Sequence, residues 1–452
     1  MIPGRYPAEW LIAIHFLLGA GVVFVPQMAF VWVAAVFVYA IFQTTRTLNR
    51  SGIAGYSAAY LSGLELLARM SGSGLPHEFT KYGISLLLLV GMLVEPLSRR
   101  FPLPILWYFI GLLLPGIWMA AHVFSLPEAI DQLSFNLSGP LCLTVATIYF
   151  FNRPVRVAEV ARLFRFCLMP IVSALGFLTA KSPALQQIEF TYSANFEASG
   201  GYGPNQVASI LGLGILMLVF SYLLRLQVVK SHYMVVLLIV LLTYRGLLTF
   251  SRGGMVAPIL VSFMLLAMYA YYQRIQFTRI RNGLLSASVL GLIAWLIFRW
   301  LNTATGNLLY YRFFGERPDG RSVGLDKYTS GRMDIILTDL RVFLDNPLWG
   351  VGPGMGKYQR YEHGYHQFAA AHIEQSRMLS EHGILGLLAL FILMLFPLHV
   401  YFKRRSAFEK MLMVMCLTSC FFFMTHSATR LSMPMLLYGL SFITLRELYY
   451  ES

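Results

Sequence analysis

Apolar residues fall into runs of about 16–20 along most of the chain, separated by short polar connections, and about 20 apolar residues cross the hydrocarbon core of a bilayer as one helix. Such runs lie at 9–25, 28–43, 53–70, 81–98, 104–121, 136–152, 160–180, 205–225, 232–250, 254–273, 283–300, 383–401, 410–427 and 431–447. The run at 53–70 is the least typical, because it carries Glu65 and Arg69. The pattern predicts an all-α, polytopic membrane protein of about 12–14 transmembrane helices. Three regions follow. Transmembrane helices occupy 1–300, with outer-face turns at 181–204 and 251–254. A long polar loop that holds helices of its own occupies 301–382, and further transmembrane helices occupy 383–452.

Composition agrees with a bilayer as solvent. The chain has 452 residues, 57% apolar, 15% aromatic and only 12% charged, against about 25% charged in an average soluble domain. Its mean hydropathy is +0.63. A soluble globular enzyme, a disordered protein and a secreted disulfide scaffold are excluded. Cys142, Cys167, Cys416 and Cys420 all lie inside apolar runs and read as small core residues. The first apolar run has no small-residue cleavage site, so no cleavable signal peptide is expected.

The net charge of +14 comes from 35 Lys and Arg against 21 Asp and Glu. These charges are scattered through connections without a long basic run, which argues against nucleic acid as a partner. Arg46 and Arg50, Arg99 and Arg100, Arg153 and Arg156, Arg225 and Lys230, Arg274 to Arg281, and Lys403 to Arg405 all fall on one side if both termini are cytoplasmic. The other side then receives 181–204, the turn at Ser251–Gly254 and the long loop.

Polar residues at that outer side are the candidates for chemistry. The turn LTFSRGG puts Arg252 at a span end before two glycines, which would let a ligand approach the backbone while the guanidinium grips a phosphate. Arg245, seven residues earlier on the same helix face, is either a buried structural partner or a second anion ligand. In GGYGPNQVAS, Pro204 suits a first helical turn. Asn205 and Gln206 then stand at a helix N-terminus, as a plain cap, as anion ligands or as contacts to sugar hydroxyls.

The long loop contains RFFGERPDGRS and then YTSGRMDIILTDLRVFLDNPLWGVGPG. Met333, Ile336, Leu337 and Leu340 predict an amphipathic helix on the membrane face, capped by Ser330 and ended by Asp345–Asn346–Pro347, with GVGPG as a flexible turn. Arg332 in its first turn opposes the helix dipole, and a residue placed against local preference is a functional candidate. His363, His366 and His372 follow. No HExxH or cysteine pattern supports a metal, whereas one histidine serves well as a base near neutral pH, and His372, shortly before the span near Gly383, is the best placed. His363 is a candidate substrate contact. Arg377 is another, although its spacing from Glu374 and Glu381 suits helix-bracing ion pairs. His382 is expected to cap or anchor the span. His426 and Arg430, four apart, are expected near the same cavity, with a structural hydrogen bond as the leading role for His426.

Several arginines and a histidine at the outer mouth of an apolar scaffold suit a lipid-linked diphosphate donor. The order SRGG, SGR, DNPLWGVGPG, then a histidine and GILG, resembles the O-antigen ligase and O-antigen polymerase superfamily over about residues 200–390. His372 is followed by Ile373, nine residues, Gly383 and Gly386, the spacing of the ligases; Ile373 stands where Asn, Ser or Gln is usual. The resemblance implies a bacterial inner-membrane protein whose long loop is periplasmic. It implies glycan transfer from undecaprenyl diphosphate to a lipid A-core hydroxyl without metal or other cofactor. By position, His372 resembles the catalytic histidine, and Arg252 and Arg332 the arginines that hold the diphosphate. A polymerase and a protein O-oligosaccharyltransferase share that donor chemistry. A lipid-linked glycan transporter would instead show charges at midmembrane and paired broken helices, which the pattern lacks.

Overall fold

The computed structural model describes residues 8–95, 101–272, 277–316, 318–319, 321–324, 328–365 and 373–446. His366 and His372 lie outside the described residues. The described chain is 75% helical. Its helices are α1 (Ala8–Val22), α2 (Gln27–Arg46), α3 (Ile53–Met70), α4 (Phe79–Val94), α5 (Leu103–Val123), α6 (Leu126–Phe150), α7 (Val157–Lys181), α8 (Pro204–Leu223), α9 (His232–Leu248), α10 (Arg252–Tyr272), α11 (Phe277–Ala304), α12 (Leu308–Phe314), α13 (Arg332–Asp345), α14 (Gly356–Glu362), α15 (Glu374–Lys403), α16 (Ala407–His426) and α17 (Met433–Leu440). The protein is an all-α, multi-pass membrane protein.

Each predicted run contains a helix, but they are not alike. Eight among the described residues are long and apolar enough to cross a membrane. α1, α4 and α9 are shorter apolar helices. The last run yields only the eight-residue α17, after which the chain pairs β2 (Thr444–Leu445) in parallel with β1 (Pro154–Val155). Two runs extend further than hydropathy indicates. α6 starts at Leu126, behind a capping box made by Ser125 and Glu128, and α15 starts at Glu374 and continues through a break at Gly383 (φ 58°).

The charged run at 53–70 forms an interior helix. Nearly all of α3 is buried, and it packs closely on α7, where Gly63 faces the Cys167 carbonyl. Small residues at such crossings let backbones approach in lipid. Glu65, 1% exposed, accepts from Arg69 at 2.7 Å and from the Ser432 amide and hydroxyl at 2.6 and 2.7 Å. A buried charge persists only when paired and hydrogen-bonded. Glu65→Ala is therefore expected to destabilise the protein by about 3–5 kcal/mol, and Glu65→Gln by less, because the amide oxygen still accepts from Ser432. Thermal unfolding in detergent measures the order of the two; equal stability of wild type and Glu65→Ala would refute the role.

The helix ends sort into two faces. At one, Asn49 donates to Glu95, Arg153 pairs with Glu95 at 2.6 Å, and Arg404 donates to Asn152 and the Phe442 carbonyl. This face gathers several of the connections rich in Lys and Arg. The long loop, the 181–204 segment and the turn at 251–254 meet at the opposite face.

Candidate functional site

A cavity of about 1570 Å³ opens at that opposite face. Its walls come from the start of α6, residues 192–206, the first turn of α10, the loop residues 311–316 and 330–334, the start of α15, and 426–430.

Arg252 is delivered by the turn between α9 and α10. Phe250 takes a left-handed conformation (φ 56°), and the Thr249 carbonyl accepts from the Asn195 amide at 2.8 Å. Ser251 Oγ donates to Asn205 Oδ1 at 2.9 Å, so the Nε2–H of His426, 2.8 Å away, donates to the Ser251 oxygen. The glycines that follow serve packing. A Cβ at Gly253 would lie 2.5 Å from the His426 ring, and one at Gly254 would lie 2.4 Å from Ala208. They let α10 close against α16 and α8, and Gly253 also lines the cavity.

Arg252 donates to the Tyr328 carbonyl and, at 3.3 Å, to Ser330 Oγ, with its guanidinium 4.3 Å from the centre of the Tyr328 ring. Arg312 donates to the same Ser330 hydroxyl at 3.1 Å and to the Phe250 carbonyl. Arg332 donates to the His426 carbonyl at 3.4 Å. Ser330 thus does not cap α13. Its left-handed backbone (φ 59°) turns its hydroxyl to the arginines, and Thr329 Oγ1 accepts the Met333 amide instead.

Among the described residues none of these three arginines forms an ion pair with a carboxylate. Burial first, then the neighbouring Arg252 charge, pulls Arg332 down to about 10. Burial, then Arg252 and Arg332, does the same for Arg312. Both stay cationic at neutral pH, and their mutual repulsion is relieved by any anion placed between them.

Three other cations of the cavity are neutralised. Arg377 pairs with Glu374 at 2.5 Å and Glu381 at 2.8 Å, and donates to Asn136 at 3.0 Å. Arg360 pairs with the fully buried Asp339 at 2.7 Å, which also accepts from Ser376. Lys81 pairs with Glu78 and donates to Ser138.

Residues 234–391 match the family model described as O-antigen ligase. This match, over about a third of the chain, supports membership of the O-antigen ligase/polymerase superfamily. No curated protein matches the chain. The matched segment runs from α9 into α15 and carries Arg252, Arg312, Arg332 and Arg377. The cavity is completed by residues outside that segment, among them Arg69, Asn205, Gln206, His426 and Arg430.

Of the residues singled out from sequence, the structure brings Arg252, Arg332, Asn205, Gln206 and Arg377 to this cavity, with His426 and Arg430. Asn205 is occupied by Ser251, and Pro204 opens α8 as expected. Arg377 is a brace whose charge two carboxylates already balance. Arg245 stands outside the cavity lining and donates to the Thr179 carbonyl at 3.4 Å. His363 also stands outside it. Asp345 accepts from its Nε2 at 2.8 Å and the Gln359 carbonyl from its Nδ1 at 2.7 Å, and the bond to Asp345 chiefly raises its pKa. His382 is a buried residue within α15 just before the break at Gly383, not a cap at a span end. The GVGPG turn is pinned, with the Val351 and Gly352 amides donating to the Ser380 and Glu381 carbonyls at 3.0 Å.

Arg312 and Arg430 carry more weight than their sequence context indicates. Arg430 lines the cavity with its pKa lowered chiefly by burial. Arg312 follows two tyrosines and precedes two phenylalanines and a glycine. A cation wedged among aromatics at the end of a short segment was its one available signal.

Proposed function

We propose that the protein transfers an O-antigen glycan from undecaprenyl diphosphate to a sugar hydroxyl of lipid A-core, at the periplasmic face of the bacterial inner membrane. The observation that carries this reading is the group Arg252, Arg312 and Arg332. These are three partly buried guanidiniums in one large cavity, held by a hydroxyl and backbone carbonyls and balanced by no carboxylate among the described residues. Diphosphate is the anion that such a group suits, since each guanidinium can offer two parallel hydrogen bonds.

In this mechanism His372 takes the proton of the acceptor hydroxyl, and the oxygen attacks the anomeric carbon from the side opposite the diphosphate. The C–O bond to the phosphate breaks with its electron pair, and the arginines hold the negative charge that develops on the leaving diphosphate. One displacement inverts the anomeric configuration. His372 enters on the spacing to Gly383 and Gly386. Glu374, two residues after it in the chain, lines the cavity.

The deciding experiment supplies purified protein with lipid-linked donor and lipid A-core. The expected product is glycan-modified core with inverted linkage. Longer lipid-linked chains with no modified core would make the protein a polymerase, glycan on Ser or Thr of a protein would make it a protein transferase, and a retained linkage would rule out the single displacement.

A further inference from the structure

The first turns of α6 carry a face that holding a diphosphate does not use. The helix begins at Leu126, well before the apolar run expected at 136–152. In this extension Leu126 and Ile130 are exposed, while Asp131, Gln132, Phe135 and Asn136 line the cavity. Positions 131 and 135, and 132 and 136, are four apart, so the four side chains share one face.

Their chemistry differs from that of the arginine group. Phe135 is 52% exposed and offers a flat apolar surface. Asn136 is fixed, accepting from Arg377 at 3.0 Å and donating to the Gln132 carbonyl at 2.8 Å. Among the described residues, neither the Asp131 carboxylate nor Gln132 Nε2 has a hydrogen-bond partner. Gly354 (φ 82°) stands against the Gln132 amide, and a Cβ there would lie 2.0 Å from its Oε1. An aromatic plane beside a carboxylate and amides matches a sugar, which presents C–H groups on its faces and hydroxyls at its edge. The one formal charge on this face is negative, which disfavours a phosphate.

Position also separates this face from the arginines. α6 packs on α4, α5 and α17, whereas α10, which carries Arg252, packs on α8, α9 and α16. Arg377 joins Asn136 to Glu374, tying the face to the first turn of α15. A displacement needs the attacking hydroxyl on the side away from the diphosphate.

We propose that the face formed by Asp131, Gln132, Phe135 and Asn136 binds an uncharged sugar of the acceptor and aims its hydroxyl at the donor. This rests on reading the cavity as a glycan-transfer site. The test is steady-state transfer by full-length protein in detergent, with donor and acceptor concentrations varied separately. Phe135→Ala and Gln132→Ala are each expected to raise the acceptor KM about tenfold, the loss of one stacking or hydrogen-bonding contact, and to leave the donor KM within about twofold. Phe135→Trp, which keeps the aromatic plane, is expected to stay near wild type. An acceptor KM unchanged in both alanine variants, or a rise in donor KM alone, would overturn the assignment; the second result would give the face to the donor glycan. If the wild type extends lipid-linked chains and leaves core unmodified, the ligase reading fails by itself. The same variants are then scored with that lipid-linked acceptor.

Discussion

Arg332→Ala is expected to lower glycan transfer about 10²–10³-fold, the typical effect of removing one preorganised donor from a developing negative charge. Arg252→Ala is expected to do the same. Both guanidiniums are partly buried, so their hydrogen bonds to a diphosphate form in a medium of lower dielectric than water. Neither has a carboxylate to release first. Arg252 gives up only a hydroxyl and a carbonyl, and Arg332 a carbonyl. Lysine at 332 restores the charge but not the planar pair of donors, so Arg332→Lys is expected to recover only part of the loss. Arg245→Ala is the control. Arg245 lies outside the cavity lining, and its variant is expected to keep activity within about threefold. Because Arg332 titrates near 10, its contribution should persist through neutral pH and fade only as pH rises through that value. Initial rates at saturating acceptor test the set, and near-wild-type rates for both Arg252→Ala and Arg332→Ala would remove the diphosphate reading.

His372→Ala is expected to reduce transfer about 10²–10⁴-fold, the range for a general base, while leaving the affinity for the lipid-linked donor unchanged. The split matters. The arginines are proposed to hold the donor and the imidazole to act on the acceptor, so the two classes of variant should separate donor binding from the rate of transfer. Wild-type transfer should fall on the acid side as the imidazole protonates, because only the neutral ring accepts the hydroxyl proton. Donor binding by equilibrium titration, alongside single-turnover rates, distinguishes these cases. Transfer that survives His372→Ala would take the base away from position 372. His363 does not compete for the role, since Asp345 and Gln359 engage both of its ring nitrogens.

Much of the scaffold was legible in the order of residues. In a bilayer each spanning segment must satisfy its backbone hydrogen bonds within itself, so a run of apolar residues of the right length reads directly as a helix. That logic covers most of the spans and the separation of the basic connections from the long loop. It weakens at α3, where Glu65 and Arg69 looked out of place because their neutralising partners are each other and Ser432, 367 positions away from Glu65. It also missed the start of α6, whose amphipathic first turns stand beside a polar cavity and so carry Asp131 and Gln132 on one side only.

Within the candidate site, local sequence singled out Arg252 and Arg332, which both line the cavity, but missed part of their surroundings. The glycines after Arg252 proved to be contact points between helices, and Ser330 a shared acceptor for two arginines. Both roles depend on neighbours brought from elsewhere in the chain.

Residue order alone determined an all-helical membrane protein with two unlike faces, and it pointed to the arginines at 252 and 332. Tertiary structure decided which cations remain unbalanced. Sequence already offered Arg377 two carboxylates at helical spacing, whereas Arg360, Arg312 and Arg332 are alike as charges in the same long loop. Packing gives Arg360 the buried Asp339 and leaves Arg312 and Arg332 with hydroxyls and carbonyls. A charge's readiness to bind an anion depends on the field and solvent around it, and folding brings those from residues far away along the chain.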